Sequence, residues 1–416
     1  MRRLVRIIAL ASLPCFLGAC GVPEPAPPTA TEFVLTPTAS ATSTPPVPTE
    51  TPTVTPAGGI RIYALDMIDR LNGWAWAFAP SAGVLLRTGD GGRTWIDVRL
   101  QDLTPNPTLW FFLDAQTAWV EWYDPPSRSR GLLRTADGGL SWDSFESEQS
   151  AGNGFRFTSV ADGWYEQVDI GGGQAHYWII ETHDGGASWA QVMLIDPPDD
   201  PFPAMFAGTI HLCSICGASL YYDPLRLVIV RNNYDAEAGT PLGLSVSTDL
   251  GASWQNTSLL LPTQAADGFA RGDLPVFFDE LNGLLPVKIS NRSPVSPYDV
   301  LVLYATADGG LTWTQLPAVL PDVDASAPIL FVSPLDAFAA CGANLCVTHD
   351  GAQTWQKLEG GLSFATPAAG EHVLQFDFVD ATTGWALSGL DGGATALWQT
   401  ADGGVSWTQM APLVLP

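Results

Sequence analysis

Few side chains in this sequence offer chemistry, and those that do have particular spacings. Cys341-Gly-Ala-Asn-Leu-Cys346 spans a hairpin, which lets the two thiols meet across adjacent strands as a disulfide. His211-x-Cys213-x-x-Cys216 offers three zinc ligands, but no fourth is evident, and a local Cys213–Cys216 disulfide is the preferred reading. A thioredoxin-type site would need a helix N-terminus to activate the thiol. The other histidines, His176, His183, His349 and His372, show no metal-ligand spacing, so neither a metal nor a cofactor is expected. The remaining chemistry is charge. Arg128, Arg130, Arg231, Lys288 and Arg292 fall in long segments between expected second and third strands, at Tyr123–Gly131, Glu166–His176, Arg231–Gly243 and Lys288–Asp299. They form a candidate rim for an anionic ligand, since long loops carry function more often than scaffold does. The plainer reading is that cations are simply excluded from strands and turns.

The elements that hold these groups follow from an internal repeat. A pattern of Thr or Ser, any residue, Asp, usually Gly-Gly, any residue, Ser or Thr, and Trp occurs seven times. Its aspartates are Asp90, Asp137, Asp184, Asp249, Asp308, Asp350 and Asp402, and a tryptophan follows each by five residues, from Trp95 to Trp407. Leu250 replaces the first glycine of the fourth copy and Ala352 the second of the sixth. An Asp carboxylate caps nearby N–H groups, Gly supplies positive φ, and Trp folds a large ring under the turn. The pattern resembles the Asp box of the bacterial neuraminidase repeat.

A second phrase precedes most boxes: Asn72-Gly73-Trp74, Thr117-Ala118-Trp119, Asp162-Gly163-Trp164 and Thr383-Gly384-Trp385, with weaker forms at Asn282-Gly283-Leu284 and Asp336-Ala337-Phe338. The fourth repeat lacks a clear copy, though Leu227–Val230 lies at a suitable distance. Each repeat then contains four short strands, in the first near Arg61–Met67, Trp74–Phe78, Val84–Thr88 and Trp95–Leu100. Four strands per repeat, seven times, predict an all-β, seven-bladed β-propeller over 59–416. The box turn should share a face with the first-to-second turn, leaving the long loops on the other. Eleven of the sixteen tryptophans belong to these phrases; Trp76, Trp110, Trp122, Trp178 and Trp398 are left for other roles.

Upstream, Arg2, Arg3 and Arg6 precede an apolar run ending Leu17-Gly18-Ala19-Cys20, which reads as a lipoprotein signal over 1–20. Cys20 would be lipidated and would tether the chain to a bacterial membrane outside the cytoplasm. Residues 21–58 are Thr/Pro-rich and read as a disordered linker. The chain holds 43 acidic and 18 basic residues, a net charge of −25, which argues against nucleic-acid binding.

The repeats resemble those of the photosystem II stability and assembly factor family. Gly384-Trp385-Ala386 followed by Thr400-Ala-Asp-Gly-Gly-Val-Ser-Trp407 comes close to that family's phrase, and the likeness runs over about 60–416. The resemblance implies a propeller that binds a membrane or extracytoplasmic protein without catalysis, as a monomer touching the membrane only through its lipid. An arginine patch is part of that family's functional surface; here Arg87 and Arg134 stand beside two boxes and the other five lack one. The rival is a neuraminidase-like glycoside hydrolase or a glycan-binding module. Hydrolysis there needs an arginine triad, a Tyr–Glu pair and an Asp, and Arg61-Ile62-Tyr63 lacks the proline of the family's early motif.

Overall fold

A computed structural model describes residues 61–78, 83–98, 100, 107–146, 154–171, 174–195, 218–231, 239–249, 253–263, 267–290, 300–323, 329–364, 372–389 and 395–415. The signal, Cys20, the linker, Cys213, Cys216 and Arg292 lie outside them.

Alternating and fully apolar runs bounded by Asp, Gly and Pro build seven antiparallel sheets in chain order, the blades of a propeller. The first blade pairs Arg61–Met67, Gly73–Phe78, Gly83–Thr88 and Thr94–Asp97. The second pairs Pro107–Phe112, Ala118–Asp124, Ser129–Thr135 and Asp143–Glu146, and the third begins with the short inner strand Phe155–Phe157. Arg226–Arg231 is the second strand of the fourth blade, which places the missing copy at Leu227–Val230 as expected. The fifth blade has a broken inner strand, Phe269–Gly272 and Val276–Phe277, both paired with Gly283–Ser290.

Neighbouring blades are joined by stacked aromatic rings. Trp119 lies 3.7 Å from Phe157, Phe338 lies 3.6 Å from Phe378, and Trp74 lies 5.2 Å from Phe112, each pair nearly coplanar. The two tryptophan classes have different work. Four box tryptophans, Trp95, Trp189, Trp313 and Trp407, donate to the carbonyl of the second box glycine in their own turn, Trp95 Nε1 to Gly92 O at 3.0 Å. Tryptophans of the preceding phrase tie blades together: Trp74 donates to Asp114 O, Trp119 to Gly185 O and Trp385 to Gly91 O. Of the tryptophans left over, Trp76 and Trp110 stack at 5.1 Å, Trp122 packs into the same cluster between the first two blades, and Trp398 donates to Ser388 Oγ.

The first and last blades each keep four strands of their own repeat, and side-chain bonds join their inner strands. Met67 N donates to Asp377 Oδ2 at 2.7 Å, Gln375 Nε2 to Leu65 O at 2.7 Å, and Arg70 Nε to Asp380 Oδ2 at 2.8 Å. Beyond the seventh blade, Leu413–Leu415 runs parallel to Thr94–Ile96 and adds a fifth strand outside the first blade.

The box turns do share a face with the first-to-second turns. Gly91 N donates to Leu71 O at 2.8 Å, and the same bond recurs in six blades, up to Gly403 N to Thr382 O. On the opposite face, two expected loops are instead lengthened hairpins. Ala118–Asp124 pairs with Ser129–Thr135, and Gly163–Gly171 with Gln174–Thr182, because cross-strand bonding continues nearly to the tip.

Candidate functional site

The box face is electrically closed by its own turns. In the first box Asp90 Oδ1 accepts from Thr94 N at 2.8 Å and Oδ2 from the Thr94 hydroxyl at 2.6 Å. Thr88 Oγ1 donates to Asp90 and accepts from Gly92 N at 2.9 Å. All seven boxes repeat the aspartate bonds, including the irregular fourth and sixth. Hydroxyl hydrogen bonds from Ser141, Ser188 and Thr354, followed by backbone N–H donors, hold Asp137, Asp184 and Asp350 down to about 2. At Asp90 burial pushes upward, but the Thr94 hydroxyl and N–H outweigh it and the net shift is down.

Cations on this face are tied as well. Arg70 pairs with Asp380, Arg134 with Asp143 at 2.8 Å, and Arg226 with Asp223 at 3.2 Å. Arg87 and Arg134 reach the following blade's box carbonyls, Gly138 O and Asp184 O. Both are therefore ties between blades.

The opposite face differs. Arg128 sits exposed at the tip of the second blade's hairpin with φ 60, and the Arg130 guanidinium lies 5.1 Å over the Tyr123 ring. Neither has an ion pair among the described residues, nor do Arg61 and Arg271, at the same end of the inner strands of the first and fifth blades. Arg231 ends its strand. Lys288 departs from the expected loop position: it lies inside Gly283–Ser290, nearly buried, with Nζ 3.2 Å from Asp273 Oδ2. An apolar, fully bonded strand extends further here than glycine and proline spacing suggested. Arg128 and Arg130 thus share one hairpin, while Lys288 belongs to the fifth blade's inner wall.

The Cys341–Cys346 disulfide forms as expected, with Cα atoms 5.9 Å apart, across a diagonal because Cys341 faces Asn344 and Ala339 faces Cys346. It borders a cleft of about 420 Å³ between the fifth and sixth blades, with Leu320, Trp355 and Lys357. Among the described residues no group of His, Cys, Asp or Glu is arranged to hold a metal.

A Tyr–Glu pair does exist: the Tyr222 hydroxyl donates to Glu181 Oε1. Tyr222 is only 1% exposed, beneath the box turns, and burial followed by the Glu181 carboxylate pushes its phenol pKa well upward. Both effects oppose phenolate formation, so this pair lacks the access and acidity of a nucleophile.

No known family's sequence profile matches the chain, and no curated protein matches it. Solved structures do. YCF48 bound to a D1 peptide aligns with a TM-score of 0.48 over 84% of this chain and 94% of that one, at 17% identity. YCF48 from Cyanidioschyzon merolae gives 0.46 over 83% and 97%, at 16%. The GH74 xyloglucanase from Xanthomonas campestris gives 0.50 over 86% of this chain and 55% of that one, at 14%. The likeness is one of fold. These proteins include both a peptide-bound propeller and a glycosidase, and fold does not choose between such roles.

Sequence reasoning missed Arg61, Arg156 and Arg271. A signal was present for two of them: Arg156 and Arg271 are lone charges in strands that are otherwise apolar or small, whereas Arg61 shares its strand with Asp66.

Proposed function

We propose that this chain is a non-catalytic protein-binding platform, held outside the cytoplasm by a lipid on Cys20, whose long-hairpin face grips an acidic partner. The reading rests on four arginines, Arg61, Arg128, Arg130 and Arg271, that lack an ion pair among the described residues in a chain of net charge −25. At the box end Arg70, Arg87, Arg93, Arg134 and Arg226 are each bonded to a carboxylate or a turn carbonyl, whereas these four stand toward the other end. Arg presents five donors in a planar fork suited to carboxylates, and rim charges chiefly set encounter rate and partner choice. Crosslinking in the native membrane, followed by partner identification, tests the proposal. A partner recovered with wild type should disappear with Arg128→Glu/Arg130→Glu. Undiminished recovery by that variant would overturn the reading.

A further inference from the structure

The box face carries apolar side chains where its turns need none. In six blades the residue two beyond the first-to-second turn's Asp or Ser accepts the box glycine N–H on its carbonyl. The turn uses only the backbone there, since Leu71, Leu281 and Leu335 make the same bond as Gln116, Ala161 and Thr382. Yet leucine holds this position in the first, fourth, fifth and sixth blades, and in the third Val160 stands one residue earlier. Leu71, Val160, Leu225, Leu281 and Leu335 are each between 46% and 58% exposed. The third to sixth blades pack one against the next, so Val160, Leu225, Leu281 and Leu335 form an arc across four neighbours. The position after the two box glycines adds exposed Leu140 in the second blade and Val405 in the seventh. Exposed apolar side chains scattered singly need no explanation, whereas a set of them on one surface marks a contact site.

The charge around the arc decides what can cover it. Every blade puts at least two carboxylates into these two turns, from Asp69 and Asp90 in the first to Asp380 and Asp402 in the seventh. Hydrogen bonds keep the box carboxylates ionised. Arg70 and Arg226, the arginines of the first-to-second turns, are already paired with Asp380 and Asp223. A second copy of this chain would bring the same carboxylates against the face, and an anionic bilayer would be repelled by it. Apolar side chains set among fixed negative charges suit a surface that is apolar and cationic together. A basic amphipathic helix has that form, with leucines at i, i+3, i+4 and i+7 and cations on either side.

We propose that the box face of the third to sixth blades is a second docking surface, which takes a basic amphipathic segment of a protein partner. Leu225, Leu281 and Leu335 meet its apolar stripe, and exposed turn carboxylates such as Asp279 and Glu280 meet the cations beside that stripe. The surface lies at the opposite end of the blades from Arg128 and Arg130. It goes beyond the acidic-partner reading and does not depend on it.

The test uses the full chain and a peptide of about eighteen residues, leucine at i, i+3, i+4 and i+7 and lysine elsewhere, with binding followed by calorimetry. A peptide of the same composition, shuffled so that no face is apolar, measures charge alone. The amphipathic peptide should bind about thirtyfold more tightly than the shuffled one. Leu225→Gln/Leu281→Gln/Leu335→Gln should remove that preference and leave the shuffled peptide's affinity unchanged. Gln116 already occupies the same turn position in the second blade, so the triple variant should melt with wild type. Equal affinity of wild type for the two peptides overturns the proposal, as does a triple variant that keeps the preference. A lower melting temperature in the triple variant makes the leucines structural and overturns it too. So does self-association in sedimentation, or binding to phosphatidylglycerol vesicles, that wild type shows and the triple variant loses, because the face would then serve a second copy or a lipid surface. Capture of an acidic partner through the long-hairpin face does not pass through these leucines and should survive in the triple variant, so the two readings fail separately.

Discussion

Each box aspartate carries its stabilising work in the ionised state, and this makes the propeller sensitive to acid in a defined window. All seven have pKa values lowered from 3.8, three of them to about 2. A depressed folded pKa contributes stability above the unfolded value and loses it as pH falls through the folded one. Melting temperature should therefore hold from pH 7 to about 5 and fall steeply between about 4 and 2, as read by tryptophan fluorescence. Unfolding complete above pH 5 would contradict the assignment. Backbone conformation gives a second residue-scale expectation. Gly403 has φ 75, and a Cβ there would lie 2.8 Å from Ala381 O, so Gly403→Ala should cost about 2 kcal/mol in urea denaturation. Ala352, at φ 60 in the sixth box, already bears that kind of strain. Ala352→Gly should stay within about 1 kcal/mol of neutral, since relief of a left-handed conformation offsets loss of a buried methyl. Equal costs at the two sites would refute the local account.

At the element scale, the box hairpins were legible because their geometry is encoded within eight consecutive residues. The turn before them was only half read. Attention to Gly-Trp missed the group that makes the turn: Asp69, Asp114, Ser159, Asp223, Asp279, Ser333 and Asp380 each accept N–H bonds from the residues two and three ahead. Six of them stand four residues before the first residue of the second strand, and in the fourth blade Asp223 stands four before Leu227, one residue into Arg226–Arg231, so the rule finds that blade without any Gly-Trp. Asp223 does more than its counterparts. It accepts from the Tyr221 hydroxyl at 2.9 Å and pairs with Arg226, a side chain 3% exposed over the Phe277 ring. Asp223→Ala should thus cost about 3 kcal/mol, because it strands a buried cation, against about 1 kcal/mol for Asp69→Ala at an exposed turn. Urea titration of the two variants decides it, and equal losses would show that Arg226 needs no counter-charge.

At the scale of the whole molecule, closure of the ring was not readable, since its bonds join Leu65, Met67 and Arg70 to residues about 310 positions away. The candidate site was hidden for a related reason. Arg128 and Arg130 announce themselves in one hairpin, whereas Arg61 and Arg271, from the first and fifth repeats, come to that same end only once the repeats are wrapped into blades. Wrapping also sets a long-range conflict: a local cationic site lies within a molecule of net charge −25, and its proposed ligand is acidic. At 0.01 M salt the Debye length is about 30 Å, so an approaching anion senses the repulsion of the whole chain. Near 0.1 M it shrinks to about 10 Å, and distant aspartates fade while the arginines in contact still act. The association rate of hexaglutamate, an acidic peptide probe of the long-hairpin face, should therefore rise several-fold between these salt concentrations, and affinity should fall above roughly 0.3 M as contact pairs are screened. Stopped-flow fluorescence from the tryptophans reads both limbs. A rate that falls steadily from the lowest salt would mean that the approach is governed by net attraction, and the acidic scaffold would then play no part in partner choice.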